Sequence, residues 1–273
     1  LRSFAAAEGT LGVGGIRLLE MDVAPADAAL ALREGVLTLS YQPAAGAGAV
    51  RLRPVVQVAV DPPVLEIGGG APILDRVPLT QAFTDTLLAM VNPLLRGCLA
   101  GGGTVDLTAA ETLVPLADGA AGQVETTLAV TLHDCSFAVA GVLGEALDLA
   151  GIGRREIAVK QTAIRAACRD GRIRTEPFEM AVNDHKVRFH GSVGFDQSVA
   201  YVIELPLTEK LAGREAWPFL KGLTLRLPVT GTLTNLKLDK EAGRKELSRI
   251  LREAAARALG DAAVERLNEL LRK

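Results

Sequence analysis

The stretch VRFHGSVGFDQSVAYVIELPL, Val187 to Leu207, is apolar at every second residue on either side of a polar turn at Asp196, Gln197 and Ser198. A period of two marks a strand that buries one face, so two such runs around a turn predict an antiparallel hairpin. The pattern extends in both directions. Ile173 and Thr175 lead into Phe178, Met180 and Val182 after a change of phase at Pro177. Val187, Phe189, Val193 and Phe195 follow, and Val199, Tyr201, Ile203, Leu205 and Leu207 return; Leu223, Leu225, Leu227 and Val229 add one more run. Asp170-Gly171 and Asn183-Asp184 read as reversals between strands. An echo joins the two ends of the pattern: LREGVLTLS (Leu32 to Ser40) and CRDGRIRTE (Cys168 to Glu176) both place Arg, an acid and Gly ahead of an alternating strand. Two repeats of one β unit, about Thr10 to Ile67 and Thr104 to Leu238, would account for it.

Helical spacing interrupts the strands at three places. Thr80 can cap a helix carrying Phe83, Leu87, Leu88 and Val91, which should end near Asn92 because Pro93 disfavours the α conformation before it. Shorter pieces are expected at Val142 to Leu149 and at Thr208 to Leu220. From Asp239, a candidate cap, Leu247, Ile250, Leu251, Ala254, Ala258, Leu267, Leu270 and Leu271 recur at helical spacing among charged residues, with Gly260-Asp261 as a candidate break. The expected organisation is a β unit over 1–79, a second β unit with inserted helices over 80–238, and an amphipathic helix over 239–273.

Composition sharpens this picture. Hydrophobic residues are 49% of the chain and aromatic ones only 4%, so the apolar surface is aliphatic and suits alkyl chains better than bases or sugars. Thirty Lys and Arg against 32 Asp and Glu leave no basic excess, which argues against a nucleic-acid partner. No window reaches the ~20 apolar residues of a membrane span. The sequence opens at Leu1 with no signal peptide and reads as part of a longer protein.

Candidate chemistry is sparse. Cys98, Cys135 and Cys168 are too scattered for a disulfide framework or a CxxC site and read as small buried hydrophobes. In His133-Asp134-Cys135 a regular strand would put His133 and Cys135 on one face and Asp134 on the other, a poor arrangement for a nucleophile and its base. His185 and His190, five residues apart, would face opposite ways and cannot share a metal. Gly9 to Gly15 and Gly68 to Gly70 lack the strand-to-helix setting and Lys-Ser/Thr ending of a phosphate loop, and read as loop glycines. No catalytic residue, metal site or cofactor is expected, and the chain reads as a non-enzyme.

Two arrangements fit the alternating residues. Their apolar face packs on a second sheet or on the short helices, as in a β sandwich, and periodicity alone favours this. Otherwise a long open sheet offers the face to lipid. Burial of each methylene is worth ~0.8 kcal/mol, so a 16-carbon tail left in water costs ~13 kcal/mol, which an aliphatic groove removes without specific polar contacts.

The ordered set NPLL (Asn92 to Leu95), GTVDL (Gly103 to Leu107), RDGRI (Arg169 to Ile173), FHGSVGFD (Phe189 to Asp196), ELPLT (Glu204 to Thr208) and LRLPVTGTLTNLKLD (Leu225 to Asp239) carries a resemblance. Over about two thirds of the chain it resembles the C-terminal region of the AsmA-like, TamB and YhdP family, distant relatives of the bridge-like lipid transfer proteins. Leu236 stands where that pattern would have Pro. The resemblance implies a mainly β fold: a long curved antiparallel sheet forming an open β-groove, a few short helices and a C-terminal amphipathic helix. It also implies a periplasmic lipid-binding or lipid-transfer module, tethered to the inner membrane by an upstream segment and serving outer-membrane biogenesis. The partners implied are a phospholipid or other acyl lipid, with a membrane surface or an envelope protein beside it. On that reading Phe178, Met180, Val182, Val187, Phe189, Val193, Phe195, Val199, Tyr201, Ile203 and Leu205 line the groove. The terminal helix either plugs or docks the groove end or is a simple stabilising cap. The alternative is a non-enzymatic assembly module that pairs with a protein through its sheet edges.

Overall fold

A computed structural model describes residues 6–118, 124–153, 156–182, 184–212 and 217–259. It is mainly β, and its antiparallel sheets do not close into a barrel. The smaller sheet runs β1 (Ala6–Val13), β4 (Ala26–Arg33), β5 (Val36–Tyr41), β8 (Val55–Gln57), β9 (Val64–Ile67), β13 (Thr112–Pro115). The larger begins with β2 (Ile16–Leu18), β3 (Met21–Val23), β6 (Ala44–Ala45), β7 (Gly48–Val50), β10 (Pro72–Pro78) and β12 (Thr104–Ala109). It continues through β14 (Thr126–Ala138), β15 (Glu156–Arg169), β16 (Arg172–Val182), β17 (His185–Gly194), β18 (Ser198–Pro206), β19 (Thr224–Thr232) and β20 (Asn235–Leu238), while β11 (Leu99–Ala100) pairs beside β14.

The two sheets are halves of the same bent strands. Residues 6–18 pair with 21–33 first through β2 and β3, then through β4 and β1; β5 and β6, β7 and β8, β9 and β10, and β12 and β13 are likewise consecutive along the chain. The boundary expected at residue 79 therefore falls inside both sheets. The sequence echo is a shared turn: Glu34-Gly35 (φ 48 and 79) and Asp170-Gly171 (φ 51 and 66) both place two residues in the left-handed region, the type I′ geometry that matches the twist of a hairpin. The phase change at Pro177 is a register shift between Thr175 and Phe178 in the pairing of β16 with β17, where a residue without an N–H interrupts the ladder.

Helices cover the apolar face, with Ala89–Val91 packed on β16 and β17. Gln81–Phe83, the π turn Thr84–Leu88 and Ala89–Val91 form one run, capped by Thr80 Oγ1, which accepts from the Phe83 N–H at 3.1 Å. It ends at Asn92 as expected, and Pro93–Leu95 follows as a 3₁₀ turn. Phe83, Leu88, Val91, Leu94 and Leu95 are at most 3% exposed and belong to one core with Leu143 and Leu147 of the helix Gly141–Leu149 and with the inward residues of β12 to β19. The carbonyl of Val91, orphaned at the helix end, accepts from Thr175 Oγ1 at 2.6 Å and Tyr201 Oη at 2.9 Å.

The third expected piece appears as Glu209–Ala212 and Trp217–Leu220, with 213–216 outside the described residues. The terminal helix Lys240–Leu259 starts where Asp239 Oδ1 accepts from the Ala242 N–H at 2.8 Å, and it packs on β19 with Ile250 5% exposed. Its expected continuation, Gly260-Asp261 and Leu267, Leu270 and Leu271 included, lies outside the described residues, as does Asn183 of one expected turn.

This arrangement separates two phenylalanines of one strand run. Phe189→Ala should lower unfolding stability by about 3–5 kcal/mol through the cavity it leaves. Phe195→Ala should change it by less than about 0.5 kcal/mol. Denaturant unfolding of both variants measures the contrast; equal effects would contradict the core described here.

Candidate functional site

Ten of the residues expected to line a groove are interior. Phe178, Met180, Val182, Val187, Phe189, Val193, Val199, Tyr201, Ile203 and Leu205 are each at most 7% exposed, and Phe178 stacks on Phe189 with ring centroids 5.4 Å apart. The helices close over them, so they are core and not a lipid-accessible lining. Phe195 is also corrected. It lies beyond the last residue of β17, is 45% exposed, and sits in the tight turn where its N–H bonds the Gly171 carbonyl at 2.8 Å.

The helical filling stops short of the smaller sheet. Along residues 36–45 one alternation joins Leu37, Leu39 and Tyr41 to buried Ala45; along 48–57 another joins buried Val50 to Leu52, Pro54 and Val56. The face that is buried in the larger sheet thus runs on into the smaller one. Cross-strand pairing adds Leu30 beside Leu39, Leu32 beside Leu37, and Leu65 between Val56 and Val114. All of these side chains are only half-buried, and Leu30, Leu32, Leu37, Leu39, Val56 and Leu65 are outside the contiguous core. At the edge Leu11 is 56% exposed. The opposite face is built from Thr10, Ala29, Ala31, Thr38 and Ser40, which floor a broad depression of about 670 Å³ between Glu8 and Arg53.

The bend in the strands opens a second cavity. Between the pairs Val55 with Glu66 and Val50 with Leu74 the ladder parts, leaving Arg51 N–H to the Ile73 carbonyl at 2.8 Å as a bridge. Gly68, Gly69 and Gly70, all at φ between 82 and 91, loop the chain out there, a path that side chains with a Cβ resist. The resulting cleft of about 470 Å³ is lined by Leu52, Pro54, Ile67, Ala71, Pro72 and Ile73, with Arg51 and Arg53 as its cations. Arg51 Nη2 lies 2.6 Å from Asp75 Oδ2. With the Gln42 amide turned so that its oxygen faces the guanidinium, Arg53 donates to it from Nε at 3.1 Å and Nη2 at 2.7 Å, and Arg53 forms no ion pair among the described residues.

Compared with protein-family models, with curated proteins and with solved structures, the chain matches none. Its own geometry therefore carries the functional reading.

His133, Cys135, His190 and their neighbours make the following contacts. Asp134 adopts φ 50 inside β14, and the alternation changes phase there: Leu132 and Cys135 are both interior, and His133 turns to the other face. A regular strand would have put His133 with Cys135; the left-handed Asp134 separates them without shifting the register of β14 against β15. His133 Nε2 instead meets Asp106 Oδ2 at 2.7 Å across the pairing of β12 with β14, a contact that no local spacing signals. Burial pushes the Cys135 thiol up to about 11, far from a reactive thiolate. His190 and Glu204 are 3.5 Å apart on the outer face, where Arg226 and Arg188 also flank the buried Glu204 carboxylate at 3.1 and 3.8 Å. No group of three metal-ligating side chains occurs among the described residues.

Asp106 makes the fold acid-sensitive in a defined direction. Burial raises its pKa, but the Arg76 backbone N–H (2.7 Å) and His133 outweigh burial and hold the carboxyl below the usual range. A carboxyl depressed on folding stabilises fully above its unfolded value near 3.9, and that contribution is lost as pH falls below it. Asp106→Asn should flatten this acid limb; unfolding measured from pH 2 to 5 checks it.

Proposed function

We propose that the chain is a lipid-binding module that shields acyl chains on the uncovered apolar face of its smaller sheet, within an envelope lipid-transfer protein of the AsmA-like kind it resembles. One observation carries this reading: the interior face is filled by helices over the larger sheet and left half-exposed where it runs on into the smaller one, with Leu30, Leu32, Leu37, Leu39, Val56 and Leu65 on the uncovered part. A contiguous aliphatic surface of this kind marks a binding site in a folded chain. Its lining is nearly free of polar groups, which suits a ligand recognised by area more than by hydrogen bonds.

A second reading rests on β1. It is eight residues long, exposed along almost its whole length, paired on one side only, and contains no Pro or Lys to block a further strand. An assembly module that pairs with a protein through this edge would use it. The two readings differ in what the surface takes up.

Native mass spectrometry of the purified chain, before and after incubation with phospholipid vesicles, should show one or more acyl lipids retained. Leu39→Asp with Leu30→Asp should abolish retention and leave the unfolding transition of the helix-filled core in place. A chain that never retains lipid while capturing a strand-forming peptide along β1 would support the second reading against the first.

A further inference from the structure

The cleft at the bend combines an aliphatic wall with two cations. Leu52 and Pro54 share the alternation of Val50 and Val56, so the cleft borders the apolar face; Arg51 and Arg53 occupy the alternate positions and border the outer face. Leu52 at 40% and Ile67 at 36% exposure leave its walls accessible. Its volume of about 470 Å³ falls within the ~300–1,000 Å³ of small-molecule sites. The charges do not cancel: Asp75 neutralises Arg51, whereas Arg53 has only a neutral amide for a partner among the described residues.

We propose that this cleft holds the anionic head of an amphiphile, with the guanidinium of Arg53 on its carboxylate or phosphate and the alkyl chain running inward past Leu52 and Ile67 onto the apolar face. The proposal rests on the lipid-binding reading and adds to it a site and a selectivity. A guanidinium offers paired N–H donors that match the oxygens of either anion. A neutral head gains from it only an uncharged hydrogen bond, and a sugar or nucleotide would find no aromatic platform in walls made of Leu, Pro, Ile and Ala. Because Arg53 is exposed, its contribution is a modest bias among lipids and not the source of affinity.

The test is displacement of an environment-sensitive alkyl fluorophore from the full chain at low salt by dodecanoate, dodecyl phosphate and dodecanol. Equal chain lengths isolate the head. Wild type should prefer the anions over the alcohol by about fivefold, the scale of one exposed charge contact. Arg53→Gln should bring both anions to the level of dodecanol without changing dodecanol itself or the thermal midpoint, and Arg53→Lys should restore part of the difference. The anion that loses more identifies the head as carboxylate or phosphate. Retention of the preference in Arg53→Gln, or its absence from wild type that binds all three equally, overturns the anchor and leaves the lipid reading standing. Failure of wild type to bind any of the three overturns both.

Discussion

The carbonyl of Val91 accepts from Thr175 on β16 and from Tyr201 on β18, and the rest of the fold can be understood from that pair of hydrogen bonds. A helix end leaves carbonyls unsatisfied, and burying one without a partner is costly. Here the sheet supplies both donors from its apolar face, so the helical run from Gln81 to Val91 is fixed in depth and direction. Phe83, Leu88 and Val91 can then fill the space above β16 to β18. An antiparallel sheet that does not close must cover its inner face with something else. In this chain the cover is local, and it ends with the helices.

That limit explains where the open surface lies. β4, β5, β8 and β9 extend past the bend at Ala24-Pro25, Gln42-Pro43, residues 51–54 and Gly68 to Gly70, beyond the helices that cover the larger sheet. Their inward leucines keep the alternation of the core without its cover. Backbone hydrogen bonding holds them in place where packing does not, since each strand of the smaller sheet between β1 and β13 is paired on both sides. Rigidity from the ladder and accessibility from the missing cover are compatible, and the proposed lipid-binding role would need both.

Most of the strand pattern was legible in the sequence because alternation is a local signal. The hairpin at Asp196 to Ser198, the phase change at Pro177, the cap at Thr80, the stop at Asn92 and the cap at Asp239 are all set by neighbours within a few residues. The echo of LREG and CRDG was equally local, a turn signal more than evidence of duplication. What alternation cannot convey is the identity of the cover. Thr175 meets Val91 across 84 residues and Tyr201 meets it across 110, so the inward face of β16 to β18 reads the same whether a helix, a second sheet or a lipid lies on it. The groove was therefore expected on the strands with the clearest pattern, which are the ones with the strongest core. Leu30, Leu37 and Leu39 carried the same alternation in shorter strands. The pairing of His133 with Asp106, which depends on a left-handed residue inside β14, had no sequence signal at all.

The uncovered face and the open edge of β1 are neighbours, and that bears on what can bind. A strand added to β1 would satisfy backbone groups and extend the sheet, but it would lengthen the apolar face without covering it: Ala7, Gly9 and Leu11 already carry that face to the edge, beside Leu32, Leu30 and Ala28. Each further strand with the same alternation would add aliphatic surface still in need of a cover. Edge pairing alone therefore increases the surface exposed to water, whereas an alkyl chain lying across the strands removes it. The cross-strand rows Leu30–Leu39 and Leu32–Leu37–Val56–Leu65–Val114 run perpendicular to the strands, which is the direction in which an extended chain would meet one leucine or valine per strand. Under the proposed lipid-binding reading, that direction suits a long, flexible apolar ligand better than a compact one, whether or not the sheet is extended at its edge.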